Sequence, residues 1–144
     1  MQSVEYVWQV KSGGFKKDIE IDWSEIDAYQ HVNNLTYFKY VQSARVDLCA
    51  QAGIAISSQS TGPGFMVART ECDFKAALNY PGAVEVVSRI TEIGESSFQI
   101  AHLIFDQTGM IAAELKDVLV LFDFATNKKV AISDELREKL IGFR

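Results

Sequence analysis

Asn34-Leu-Thr-Tyr-Phe-Lys-Tyr-Val-Gln-Ser-Ala-Arg-Val-Asp-Leu-Cys-Ala-Gln-Ala52 is the stretch from which the architecture can be read. Leu35, Phe38, Val41, Ala44, Leu48, Cys49 and Ala52 recur mostly at steps of three and four, the spacing of one long helix with an apolar stripe. Asn33 or Asn34 suits its start, because an Asn side chain accepts from unpaired first-turn amides, and Gly53 suits a left-handed stop. Downstream lies a Ser, Gly and Pro-rich loop at 57–64. Four runs rich in Val, Ile and Phe follow, at 65–75, 83–93, 96–106 and 110–123. Pro81-Gly82, Gly94-Glu95 and Gln107-Thr108-Gly109 punctuate them as turns, and short turns predict antiparallel neighbours. Upstream, residues 18–23 alternate polar and apolar as a strand does, and a β-prone run at 4–10 could pair with them as a hairpin. Residues 133–140, with a Ser cap and Asp134 and Glu135 in the first turn, predict a closing helix.

A helix of about 19 residues is roughly 28 Å long, and strands of about ten residues are roughly 33 Å. The helix therefore fits along the sheet. With one long helix, a single curved antiparallel sheet must cover it, and its other face and edges are left to solvent or a partner. The fold class expected is α+β, in a single domain over residues 1–144.

Composition narrows the function. The 144 residues carry 14 Lys plus Arg against 19 Asp plus Glu, a net charge of −5. A binder of nucleic-acid backbone needs a basic face to release counterions, so nucleic acid is not an expected partner. No apolar run approaches the roughly 20 residues that span a bilayer, and residues 1–18 lack the core of a signal peptide. Cys49 and Cys72 belong to no CxxC pair, which fits reduced thiols and a cytoplasmic location. There is no GxSxG, HExxH or GxxxxGK[ST] motif and no Cys and His cluster at zinc spacing. His102 shares a strand face with Phe98, Ile100 and Ile104 and reads as a packed histidine.

What remains is Trp23-Ser-Glu-Ile-Asp-Ala-Tyr-Gln-His-Val-Asn-Asn34, which leads into the helix. A helix start offers free N–H groups and about half a positive charge, so it can hold an anion or a developing oxyanion. Asp27 beside that end can be held ionised, because a nearby positive potential lowers a carboxylate pKa. The same residues would equally serve as loop and helix caps.

The run Asp27-Ala-Tyr-Gln-His31-Val-Asn33-Asn34-Leu-Thr-Tyr37-Phe38-Lys-Tyr40, with Ala44-Arg45 beyond it, resembles the signature of hot-dog-fold acyl-CoA thioesterases of the 4-hydroxybenzoyl-CoA thioesterase type. The resemblance extends over roughly residues 16–140. It implies one central helix wrapped by a curved antiparallel sheet and hydrolysis of an acyl-CoA thioester to a carboxylic acid and free CoA. No metal or redox cofactor is implied. It places the catalytic carboxylate, as nucleophile or general base, on Asp27, and the carbonyl-polarising backbone amide near Asn34. For His31 and Asn33 it implies orientation of water or support of the loop. Relatives place their sites between subunits, so a homodimer or homotetramer is expected.

The chain departs from the family pattern at Glu25, where Asp is common, at Gln30, where Gly is common, and at Gln42, where Glu is common. Glutamine resists the backbone angles glycine permits, so Gln30 predicts a somewhat different loop path. A non-catalytic acyl-thioester binding module and an acyl-carrier-protein thioesterase are the rival readings. CoA phosphates require a local basic patch, for which Arg69, Lys75, Arg89, Lys128 and Lys129 are candidates. Tyr40, Phe65 and Phe74 are candidates to line an acyl pocket or to fill the core.

Overall fold

The apolar alternation of residues 83–123 builds the middle of one antiparallel sheet in the computed structural model, which describes residues 14–57 and 61–144. In chain order the elements are β1 (Phe15–Glu20), a 3-10 turn (Trp23–Glu25), α1 (Asn34–Gln51), β2 (Gly64–Phe74), β3 (Ala83–Ile93), β4 (Ser97–Asp106), β5 (Ile111–Asp123), β6 (Lys128–Lys129) and α2 (Asp134–Ile141). The strands lie in the order β1-β3-β4-β5-β2, and the short β6 pairs with β5. This is the α+β, hot-dog arrangement: a long helix against one face of a curved antiparallel sheet.

The gaps 94–96 and 107–110 make β3, β4 and β5 a meander, as the turn signals predict. The Pro81-Gly82 link is different. β2 pairs with β5 at the far edge, whereas β3 pairs with β4 and β1, so residues 75–82 cross from one side of the sheet to the other. Lys75 and Ala76 amides still reach Ala112 O at the start of this crossing, Leu78 O accepts from Val32 N, and Gly82 O accepts from Ile21 N. The crossing is therefore tied into the helix side, and the expectation that Pro81-Gly82 joins neighbouring strands is corrected.

The first strand is also displaced from its expected place. It runs from Phe15 to Glu20, and Asp22 then accepts from Ser24 N and starts the 3-10 turn, so the extended run at 18–23 is cut short. The β-prone run at 4–10 lies outside the described residues.

Along α1 the buried positions are Thr36, Tyr37, Tyr40, Val41, Ala44, Leu48 and Cys49. Leu35, expected in the stripe, is 69% exposed. At about 100° per residue it lies some 200° around the helix from Tyr37, on the opposite side. Gly53 takes φ 88° and ends the helix as predicted. Ser133 caps α2 through Leu136 N, and Leu140 is fully buried beneath it.

The core has two lobes. One joins Tyr37, Tyr40, Val41 and Ala44 of α1 to Val84, Val86, Ile104 and Leu115 of the sheet, and the other joins Leu48 and Cys49 to Ile90, Phe98, Ile100, Leu119 and Leu140. Burial of a side chain such as Leu48 contributes about 1.5–3 kcal/mol. Between the lobes runs a polar seam. Asp117 of β5 accepts from Arg45 of α1 at 2.9 Å and from Thr70 of β2 at 2.7 Å, and lies 2.8 Å from His102 Nε2; His102 Nδ1 lies 2.7 Å from Ser88 Oγ. Burial would raise the Asp117 carboxyl, but His102, Thr70 and Arg45 hold it below the usual carboxylate range. Burial pushes His102 below its usual value against the pull of Asp117. A neutral His102 that donates from Nε2 to Asp117 and accepts at Nδ1 from Ser88 satisfies both ring nitrogens.

Candidate active site

Asp22 sets the entry to the site by a reciprocal cap: its side chain accepts from Ser24 N, and its own N–H donates to Glu25 Oε1 at 2.8 Å. Glu25 then folds inward, 9% exposed. Tyr40 OH donates to Oε1 at 2.8 Å, and Lys39 Nζ lies 3.0 Å from Oε2. Burial would raise this carboxyl, but the Asp22 amide, Lys39 and Tyr40 hold it below the ordinary range, so Glu25 is ionised at neutral pH.

Beyond Glu25 the chain closes a small loop. Ile26 bridges to Val32, Asp27 N donates to His31 O at 2.9 Å, and Gln30 N donates to Asp27 O at 3.1 Å. Gln30 holds φ 67°, in the left-handed region that glycine favours. The departure from glycine is thus accommodated by the glycine-like angles that a glutamine side chain resists. Asp27 is half-buried, and its Oδ1 accepts from Tyr29 N at 2.8 Å and at longer range from His31 N at 3.4 Å. Its Oδ2 has no hydrogen-bond partner among the described residues.

The loop delivers Asp27 to the start of α1. Asn33, not Asn34, is the N-cap: its Oδ1 accepts from Leu35 N at 2.9 Å, its carbonyl accepts from Thr36 N, and its own N–H donates to Glu25 O. Asn34 is the first helical residue and is exposed; its N–H has no acceptor among the described residues. A free amide at the positive end of an 18-residue helix is suited to a developing oxyanion. Asp27, His31, Asn33 and Asn34 are thus brought together, with the His31 side chain exposed.

Around them lies apolar surface. Trp23 is 73% exposed and Tyr29 82%. Phe74, half-exposed at the end of β2, packs edge-on against Tyr37 at 5.1 Å and Phe38 at 6.3 Å. Of the other aromatic candidates, Tyr40 is core, and Phe65 belongs to the second lobe and to a cavity of about 700 Å³ that it lines with Ile56, Pro63, Phe124 and Val130. That cavity lies past the C-terminal end of α1, a helix length of about 27 Å from the Asp27 loop.

The five cations do not converge. Arg69 pairs with Glu71 at 3.1 Å and Lys75 with Glu114 at 3.6 Å. Lys128 and Lys129 sit on β6 opposite Asp123 and Phe122, at the end of the sheet away from Lys75. Arg89 contradicts its expected place on an exposed patch: β3 is an interior strand, and Arg89 is 6% exposed there, with burial lowering its pKa. No group of three or more His, Cys, Asp or Glu able to hold a metal occurs among the described residues. No helix among them is long and apolar enough to cross a membrane.

Two features do not emerge from the sequence. Glu25 stands out there only as a departure from Asp, and Asp117 does not stand out at all. The one available signal for Asp117 is an acid in the same alternation phase as Leu115 and Leu119.

The family model of the thioesterase-like superfamily matches residues 21–140. Among curated relatives, the long-chain acyl-CoA thioesterase FadM of Escherichia coli K12 is 24% identical over 123 residues, covering 85% of this chain and 93% of its own. Among solved structures, the PA5185 protein of Pseudomonas aeruginosa PAO1 superposes with a TM-score of 0.82 at 28% identity over 92% of both chains. A thioesterase of Thermus thermophilus complexed with coenzyme A and zinc superposes with a TM-score of 0.78 at 25% identity, over 90% of this chain and 98% of that one. With the match running from the end of β1 into α2, the chain belongs to the thioesterase-like superfamily and is a thioester hydrolase of the hot-dog fold.

Proposed function

We propose that the chain hydrolyses an acyl-CoA thioester to the carboxylic acid and free CoA, with Asp27 as the catalytic carboxylate and the Asn34 amide as the oxyanion donor. The observation that carries this reading is the pairing, on one loop, of a carboxylate with an unused oxygen and a helix-start N–H with no acceptor among the described residues. The CoA complex of the Thermus thermophilus relative and the acyl-CoA activity in the name of the Escherichia coli one support the substrate class.

In the general-base route, Asp27 Oδ2 takes a proton from water as the water oxygen attacks the thioester carbonyl. The carbonyl oxygen gains charge against Asn34 N–H, the C–S bond breaks, and the thiolate leaves with the proton. In the nucleophilic route, Asp27 attacks the carbonyl itself, the C–S bond breaks and the CoA thiolate leaves to take a proton from solvent, and water then cleaves the mixed anhydride. An oriented amide of this kind typically contributes about 10²–10³ in rate and a positioned base about 10²–10⁴. Single turnover in ¹⁸O-water separates the routes where water attacks the aspartyl carbon of the anhydride. The label then enters Asp27, whereas the general-base route puts it in the product acid.

A second copy completes the site. Among the described residues strand β2 is an edge strand along its whole length, with Met66, Val67 and Phe74 exposed, and Trp23, Tyr29 and Leu35 are exposed beside Asp27. Unpaired edges with apolar side chains call for a partner. The chain is therefore at least a dimer with sites between subunits, and light scattering at micromolar concentration tests it: a monomer contradicts it. The activity is tested by a panel of short, long and aromatic acyl-CoAs with free-thiol detection on wild type and Asp27→Asn. At least about a 10²-fold loss in the folded variant is expected; binding without thiol release on any substrate would support the binding-module alternative.

A further inference from the structure

We propose that Glu25 is a positioning residue for the hydrolytic step: its buried carboxylate locks the Asp27 loop to α1 and so sets the separation of the Asp27 carboxylate and the Asn34 amide. This rests on the reading of Asp27 and Asn34 given above. Glu25 joins the two sides of the site at four points. Its Oε1 takes Asp22 N and Tyr40 OH, its Oε2 takes Lys39 Nζ, and its main-chain O takes Asn33 N at 2.9 Å. Two of these partners, the consecutive residues Lys39 and Tyr40, lie about one and a half turns along α1 from Asn34; a third, Asn33, is its N-cap; the fourth opens the turn that leads to Asp27.

Three donors, one of them a cation, converge on the side chain, so the position calls for a side chain with acceptor oxygens. Tyr40 is 2% exposed, so the bond it makes is fixed in place by the core around it. Without that anchor, residues 26–32 keep the Asn33 N to Glu25 O bond and the packing of Val32 and Ile26 in the core, but the turn at Glu25 loses its side-chain ties to Lys39 and Tyr40 of α1. A displacement of about 1 Å at a reacting group costs up to about 10²-fold in rate. Glu25 touches no reacting atom, so its loss acts on kcat by misplacing Asp27.

The test is steady-state acyl-CoA hydrolysis by wild type, Glu25→Ala, Glu25→Gln, Tyr40→Phe and Asp27→Asn, measured well below each unfolding midpoint. Glu25→Ala is expected to lower kcat by about 10- to 100-fold with KM within about threefold of wild type. Glu25→Gln, which keeps an acceptor for Asp22 N and Tyr40 OH, recovers most of that loss. Tyr40→Phe lowers kcat by about five- to tenfold, again with KM unchanged, and this variant decides the matter if Glu25→Ala does not fold. Wild-type kcat in folded Tyr40→Phe and Glu25→Ala, with Asp27→Asn inactive, overturns this proposal alone. A wild-type rate in Asp27→Asn overturns the Asp27 reading and this proposal with it.

Discussion

The chain contains two aspartate and histidine pairs, and they differ in every respect that governs chemistry. Asp117 and His102 meet side chain to side chain at 2.8 Å, both fully buried, in the seam between the two core lobes. Asp27 and His31 meet through the His31 main chain, whose carbonyl accepts from Asp27 N and whose N–H donates to Asp27 Oδ1, in a loop at the surface. Each Asp117 oxygen is engaged, one by Thr70 and one by His102 and Arg45, whereas Asp27 Oδ2 has no partner among the described residues. The chain Ser88, His102, Asp117 has the composition of a hydrolytic relay, yet Ser88 is 0% exposed and no substrate can reach it. Its work is to tie α1 to β3, β4, β5 and β2 at one level. Burial with full hydrogen bonding suits a structural acid, and access with an oxygen left without a partner among the described residues suits the role proposed for Asp27.

The sealed pair is where the stability effect is greatest. Asp117→Ala strands the Arg45 guanidinium in the core, and an unfolding titration in urea is expected to show a loss of about 3–5 kcal/mol. A loss below about 1 kcal/mol, the usual worth of an exposed pair, would mean the seam contributes no more than surface charge.

Acid acts on the same contrast. Asp117 and Glu25 both have folded pKa values depressed below their ordinary range. Each therefore contributes stability that is fully present above the unfolded carboxylate pKa, near 4, and is lost as pH falls through the lower folded value. Stability is expected to decline from about pH 4 downward by up to about 1.4 kcal/mol per pH unit for each group, and Asp117→Asn should flatten that slope. An unchanged slope in Asp117→Asn contradicts the assignment.

Much of this is legible in the sequence. Strands β3, β4 and β5 follow from alternation and turn residues, and α1 from its spacing and caps. The strand order is not, because nothing in local periodicity says that residues 75–82 cross the sheet. The helix face reads only in part, for a chemical reason: Tyr37 and Tyr40 look amphipathic, yet each finds a buried acceptor, Ala76 O at 2.9 Å and Glu25, and so displaces Leu35 from the interior. The Asp27 segment is legible because its chemistry is local. The roles of Glu25 and Asp117 are not, since each depends on partners that only the tertiary fold assembles.

Smaller effects are expected nearer the surface. Tyr37→Phe removes the bond to Ala76 O that anchors the crossing segment, and thermal or chemical unfolding should report a loss of about 0.5–1.5 kcal/mol. Smallest is Gln30→Gly, which relieves the left-handed backbone at a cost in unfolded-chain entropy. It should stabilise by a few tenths to about 1 kcal/mol, and a destabilisation would mean the Gln30 side chain contributes a contact of its own.

In the proposed mechanism Asp27 of the open pair performs the chemistry with the Asn34 amide, while the sealed pair holds the fold. Acyl-CoA hydrolysis by Asp27→Asn separates the two roles, because the Oδ1 of that variant can still accept from Tyr29 N and so preserve the loop. At least about a 10²-fold loss of kcat is expected, with the unfolding free energy within about 0.5 kcal/mol of wild type. Hydrolysis at the wild-type rate by the folded variant would show that the open carboxylate is not the catalytic one.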